Sequence, residues 1–250
     1  PAAPAPPPAQ APAPAPGLTS GQVLPLSTVR KAIAEHMVYS KHTSPHVTTV
    51  MEADLSRVVA HRGANKAAFE RDGANLTFTA YFAAAAVQAL KAYPLVNSSW
   101  TEQGILLHPQ VNLGMATSLG EEGLIVPVIQ QAETLSLLGL ARAINDLATR
   151  ARAKKLQPDE VKGGTFTITN HGITGSLFAT PVINQPQVAI LDTEAVVKRP
   201  VVVTDELGND SIAIRSMMYL CMSWDHRALD GALAAQFLSS LRKKLETWPI

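Results

Sequence analysis

Cysteine is almost missing from this sequence. The single one, Cys221, sits in the apolar run MMYLCMSW, so a disulfide framework and a cysteine-held zinc are both excluded, and a reducing compartment fits. Charge is scarce too. With 21 basic and 20 acidic side chains the net charge is +1, and no run of about 18 uncharged apolar residues occurs, so a nucleic-acid binder and a membrane-spanning chain are both disfavoured. The sequence has no G-x-S-x-G elbow, no H-E-x-x-H, no dinucleotide G-x-G-x-x-G and no phosphate loop ending in Gly-Lys-Ser/Thr. His42 and His46 are spaced for one helix face, but Pro45 between them breaks that helix, and no metal site is expected. A basic n-region and an apolar h-region are lacking at the start, so the chain reads as a piece of a longer polypeptide, and its Asn-x-Ser/Thr triplets at Asn75 and Asn97 are chance matches.

Proline, by contrast, is concentrated. Eight of the 18 prolines fall within residues 1–17, PAAPAPPPAQAPAPAPG, which carry no charge, no aromatic and no β-branched side chain. Such a stretch cannot bury enough apolar area to offset its ordering entropy, and Ala-Pro alternation stays extended, so residues 1–17 read as a disordered, stiff linker reaching roughly 50 Å at about 3.1 Å per residue. Residues 18–250 read as one domain. They hold all of the charge at about 18% of positions, below the roughly 25% of average domains, which hints at outer surface buried against other subunits.

Periodicity supplies the elements. Ser27 or Thr28 caps a helix with Val29, Ile33 and Met37 on one face, up to Lys41; HVTTVMEAD then alternates as a half-buried strand from His46 to Asp54. A helix to about Arg71 follows, then the nearly all-apolar TFTAYFAAAAVQALKAY, stopped by Pro94 and expected in the core. GILLH, VNLGMATS and LIVPVIQ read as strands, the last with Pro127 marking an edge or a bulge. A helix from about Leu135 to Lys154 comes next, then strands TFTIT, QVAIL, AVVKRPVVV and Ile212 to Trp224, and a closing helix from about Asp230 to Glu246. Without a regular βαβ beat, the fold class is α+β: a mixed β-sheet sandwich with flanking helices.

Two stretches can carry chemistry. In SWDHRALDGALAAQFLSSLRKKL a strand ends at Trp224 and a helix begins near Asp230, which leaves His226 in the turn, free to meet a substrate. Asp230 suits the positive end of the helix, and either a catalytic turn or a simple cap with a surface histidine explains the pattern. In GGTFTITNHGITGS a strand delivers Thr169, Asn170 and His171 into a glycine-bearing loop, where hydroxyl and amide donors can stabilise an oxyanion or merely form a turn.

These residues resemble the catalytic domain of the dihydrolipoamide acyltransferases, the core components of 2-oxo acid dehydrogenase complexes. DHRALDG is similar to that family's DHRxxDG signature, and PLSTVRKAIAEHMVYSKHTSPHV, GGTFTITN and INQPQVAIL resemble family segments in the same order. The resemblance implies a chloramphenicol-acetyltransferase-like fold, and acyl transfer from acyl-dihydrolipoamide to coenzyme A as substrate. It implies His226 as base, the Thr169 hydroxyl as oxyanion donor, and Asp230 orienting the turn by pairing with Arg30. It also implies a lipoyl group on an upstream domain absent from this chain, a homotrimer that assembles into a larger cage, and a site shared between neighbouring subunits. Decarboxylase/dehydrogenase and dihydrolipoamide dehydrogenase components are the implied partners, in a bacterial-type cytoplasm. Thr169 stands where many relatives carry serine; His171 and Asp192 replace apolar or small residues and do not touch the implied chemistry. Branched-chain and acetyl groups are the level candidates for the cargo, with succinyl third. A non-catalytic core protein and a chloramphenicol-type acetyltransferase are the rival readings, and the apolar ending Trp248-Pro249-Ile250 is an expected contact between trimers.

Overall fold

A computed structural model describes residues 21, 23–120 and 123–249. The expected Pro/Ala linker, residues 1–17, lies outside the described residues.

Helix α1 (Thr28–Thr43) starts where the Ser27 side chain accepts the Arg30 amide, and ends at Ser44, held extended by the following Pro45. Strand β1 (His46–Asp54) leads into α2 (Ser56–Arg71) and α3 (Phe78–Ala92). Nine residues of α3 are buried, as its unbroken apolar composition requires. The ribbon β2 (Ser98–Thr101) and β3 (Gly104–Leu107) stands apart from the main sheet. After β4 (Leu113–Met115), β5 (Thr117–Ser118), β6 (Leu124–Ile125) and β7 (Val128–Ile129), α4 (Leu137–Arg152) begins at a Ser136 cap. Strands β8 (Phe166–Asn170), β9 (Ala189–Thr193), β10 (Val197–Thr204) and β11 (Asp210–Asp225) precede α5 (Gly231–Glu246).

The main sheet has the order β1-β11-β9-β8-β4-β7, with β10 also on β11. It is mixed: β4, β8 and β9 are parallel neighbours and the other pairs antiparallel. The 16-residue β11 is its spine, since Met217 is paired with Asp54 on one edge and with Val197 on the other. Helices α3, α4 and α5 bury their apolar faces with the sheet in one core that includes Tyr81, Phe82, Leu140, Phe166, Trp224 and Phe237. The expected sandwich is therefore helices laid on a mixed sheet. Among the described residues, no helix is long and apolar enough to cross a membrane.

Two expected strands are each split in two. LIVPVIQ turns at Pro127, so that β6 pairs with β5 while β7 pairs with β4. Pro127 has no amide to give a ladder, but its carbonyl accepts the Met115 amide at 2.8 Å and so marks the corner. VNLGMATS changes sheets at Ala116, whose amide goes to the Ile168 carbonyl. Gly114 permits the crowding there, because a Cβ would press on Val126 and Thr167.

At the chain ending, Trp248 is 7% exposed and edge-on to Tyr81, with ring centroids 4.8 Å apart, while Arg57 donates to its carbonyl at 2.7 Å. Trp248 thus packs on the domain's own core; Pro249 is exposed, and Ile250 lies outside the described residues. Trp248→Ala is expected to lower unfolding stability by roughly 3 kcal/mol, read from the denaturant midpoint.

Candidate active site

Strand β11 ends in a turn built around one buried carboxylate. Asp225 is 1% exposed, and its backbone carbonyl accepts the amides of Ala228 and Leu229 at 3.0 Å each, which folds the chain back on itself. Its side chain receives Arg227 Nε on Oδ1 at 3.0 Å, Arg227 Nη2 on Oδ2 at 2.6 Å and the Ser44 hydroxyl on Oδ2 at 2.7 Å. Burial alone would push this carboxyl up, but the hydrogen bonds from Arg227 and Ser44 outweigh it and hold the group below the usual carboxylate range. The Arg227 guanidinium in turn lies over the Trp100 ring, 5.1 Å from its centre.

A second layer fixes Ser44. Gln185, in the INQPQ segment, donates to the Ser44 hydroxyl, and His46 bridges the Ser44 carbonyl (Nδ1, 2.8 Å) to the Ile183 amide (Nε2, 3.0 Å). This pattern makes His46 a neutral donor-acceptor; burial first of all holds its pKa down. Sequence segments far apart, the end of α1, the start of β1 and INQPQ, thus converge on the DHR turn.

His226 sits on this platform. Its amide donates to the Pro45 carbonyl at 3.0 Å, its ring leans on Trp224 with centroids 4.9 Å apart, and the side chain is exposed with no hydrogen bond to a described residue. Asp230 caps α5, accepting the Leu233 amide at 2.8 Å. Within one chain, no arginine among the described residues forms an ion pair with Asp230, and the bonds that hold this turn run between Asp225 and Arg227. Sequence reasoning missed that pair, together with Ser44 and His46, although Asp225 and Arg227 flank the histidine in the motif itself.

Thr169 lies elsewhere. It is 7% exposed in the middle of the sheet, on the wall of a cavity of about 1000 Å³ that Thr77, Thr79, Thr117, Asn170 and His171 also line. It aligns with Asp192 on β9 and through it with Cys221 on β11, five positions before His226. At about 3.4 Å per residue and about 4.8 Å per strand, the two residues are roughly 20 Å apart within one chain. They cannot act on one bond without a second chain.

Beside Thr169 the side chains of His171, Asp192 and Glu194 meet. His171 Nδ1 is 2.6 Å from Asp192 Oδ2; Asp192 is 0% and Glu194 2% exposed. Burial pushes both carboxyls up, a shift that the His171 bond opposes at Asp192. Burial also pushes the neighbouring Cys221 thiol up to about 11, which leaves it inert as a nucleophile.

Residues 19–249 match the family model of the 2-oxoacid dehydrogenases acyltransferase catalytic domain. The chain is 47% identical over 223 residues to the dihydrolipoyllysine-residue acetyltransferase component of the pyruvate dehydrogenase complex of Mycobacterium bovis, covering 88% of this chain and 40% of that protein. It is 43% identical to the lipoamide acyltransferase component of the branched-chain alpha-keto acid dehydrogenase complex of Bacillus subtilis, covering 90% and 52%. The chain thus spans about half the length, or less, of these relatives. Among solved structures it resembles a probable dihydrolipoamide acetyltransferase from Listeria monocytogenes (TM-score 0.86, 42% identity, 91% of this chain and 95% of that one) and the cubic core of a pyruvate dehydrogenase multienzyme complex (TM-score 0.85, 33% identity, 94% and 97%). A chloramphenicol acetyltransferase, at TM-score 0.50, 16% identity and 90% and 97% coverage, shares the fold alone. The chain therefore belongs to the catalytic-domain family of the 2-oxoacid dehydrogenase acyltransferases.

Proposed function

We propose that this chain is the acyl-transferring core domain of a 2-oxo acid dehydrogenase complex, moving an acyl group from acyl-dihydrolipoamide to coenzyme A. The observation that carries the reading is His226: an exposed imidazole on a hydrogen-bonded turn, whose ring has no hydrogen bond to a described residue and is free to take a proton from a substrate. In the proposed reaction that imidazole removes the proton of the CoA thiol, and the thiolate adds to the thioester carbonyl. A C–S bond forms, and the negative charge on the carbonyl oxygen is met by the Thr169 hydroxyl of a neighbouring chain. The tetrahedral species then expels the dihydrolipoamide sulfur, which takes back the proton held on His226. One thioester replaces another, so no protein-bound acyl group is needed. Asp230 contributes by capping the helix that follows.

The separation of roughly 20 Å between Thr169 and His226 in one chain supports a site shared between subunits, as in a homotrimer within a larger cage. The lipoyl group belongs to a domain outside this chain, and the decarboxylase and dihydrolipoamide dehydrogenase components complete the complex. A bacterial-type cytoplasm is the proposed setting. For the cargo, acetyl and branched-chain groups stay level, with succinyl third.

Three outcomes test this reading. Acetyl-, isobutyryl- and succinyl-dihydrolipoamide are compared as donors with His226→Ala alongside; a loss of about 100- to 10,000-fold is expected, and an undiminished rate sinks the mechanism. No transfer of any of the three by the wild type favours a purely structural core. Thr169→Ala is expected to lower kcat by roughly 100-fold while Thr169→Ser retains most of it, because only the hydroxyl is needed; equal rates in the two variants refute the donor role. Asp225, held low in the fold, adds stability that is present above its unfolded value near 4 and is lost as pH falls through the folded value. Arg227→Ala removes the guanidinium bonds and leaves only the Ser44 hydroxyl and the residue-227 amide against burial, so acid unfolding moves to higher pH, with about 1–3 kcal/mol lost near neutrality. An unshifted acid transition rules out the platform argument.

A further inference from the structure

We propose that His171, Asp192 and Glu194 form a binding site for one divalent transition-metal ion of the zinc type, placed at the exit of β8 and β9 beside Thr169. One ligand atom from each of the three residues lies within 4.8 Å of the other two. Thr169 and Asp192 are aligned neighbours on parallel strands, and His171 and Glu194 lie just past the ends of those two strands, where the chain brings their side chains to Asp192.

What marks the cluster as a ligand site is unsatisfied chemistry. Glu194 is 2% exposed and neither of its carboxylate oxygens meets a donor at full hydrogen-bond geometry, although the Ser176 hydroxyl and the Ala179 amide lie near enough to oppose the upward push of burial; Asp192 is 0% exposed and its Oδ1 has no partner. Buried carboxylates are ordinarily paired, hydrogen-bonded or bound to a metal, and among the described residues no lysine or arginine forms an ion pair with either acid. A single proton meets one oxygen, whereas a divalent cation draws one donor atom from each of the three side chains. One imidazole nitrogen with two carboxylates is a donor set for zinc and its first-row neighbours. Tetrahedral zinc with bonds of about 2.1 Å needs ligand atoms about 3.4 Å apart, so binding would open the 2.6 Å His171–Asp192 contact, and His171, at 48% side-chain exposure, is the ligand with room to move.

The backbone holds the loop in place for this. A Cβ on Gly172 would run into the backbone of Glu194 and Ala195, and the Ala195 amide donates to the Ser176 carbonyl at 2.8 Å. Loop 171–176 is therefore pressed onto the end of β9, and an ion there ties a wall of the Thr169 cavity to the sheet. The residues are separated in sequence by one loop and lie on two strands, which is why no ligand spacing is visible in the chain.

The test uses the full chain, stripped with a chelator, dialysed and titrated with zinc chloride by calorimetry, with bound metal counted by elemental analysis. One zinc per chain is expected, with binding at least tenfold weaker in Glu194→Gln and in His171→Ala, and unchanged in His42→Ala. Since His171 is half exposed, His171→Ala folds even where the buried substitution does not. Zinc is also expected to raise the Tm of the wild type and not that of the two variants. An absence of stoichiometric zinc, binding that survives both substitutions, or a Glu194→Gln variant that is more stable while zinc leaves the wild-type Tm unmoved overturns the proposal; the last result assigns a proton to the site instead. None of these readouts depends on acyl transfer, so the metal site and the proposed reaction fail separately.

Discussion

The arrangement depends on keeping Asp225 ionised while it is buried. A carboxylate at 1% exposure demands donors on nearly every lone pair, and the chain supplies them from Arg227 on the far side of the histidine and from Ser44 at the end of the first helix. Each donor then imposes a geometry. Arg227 can reach back two residues only if the strand turns sharply after Asp225, and that turn lifts His226 into the open. Ser44 can reach Asp225 only if α1 stops before Pro45 and β1 starts at His46, opposite Asp225 in the ladder. One buried charge therefore fixes the end of a helix, the register of an edge strand and the exposure of the proposed base.

Much of the fold was legible in the sequence because its periodicities are clean. Strand β1 occupies the residues that alternate, His46–Asp54, and α3 the residues whose composition is apolar throughout. The short strands were legible as β-structure but not as separate pieces. β4 to β7 hold two or three residues each, too few for alternation to reveal a change of sheet at Ala116 and Pro127. The packing of Trp248 was not legible either, because Tyr81 and Arg57, which receive it, are distant in the sequence.

At the site, His226, Thr169 and Asp230 were legible from their motifs, and the partners of Asp230 were not. A cap is a local event, whereas a pairing with Arg30 depends on how α1 lies against α5, which no spacing encodes. Asp225 and Arg227 were in plain view, yet an aspartate within an apolar strand does not announce whether it faces solvent or core. The acids Asp192 and Glu194 pose the same ambiguity, which their burial resolves, Asp192 within β9 and Glu194 just past its end.

The far half of β11 shows what the charge-poor composition is for. Before Met217, over Asp210–Ser216, the strand pairs only with β10 among the described strands. On one face of the resulting ribbon Pro200, Val202, Ile212 and Ile214 stand together, cross-strand partners two by two, and three of them are 66% to 79% exposed. An alternating strand pair of this kind is half of an interface in search of the other half, since apolar side chains directly opposite each other gain only when covered. The same spine that carries His226 at its buried end thus carries an uncovered apolar face at the other. Under the proposed function, the base and the oxyanion donor, roughly 20 Å apart within one chain, require a second copy to meet. The exposed ribbon face at the far end of the same strand is apolar area that such a copy has available to cover, so the proposed site and the uncovered surface make the same demand of the fold.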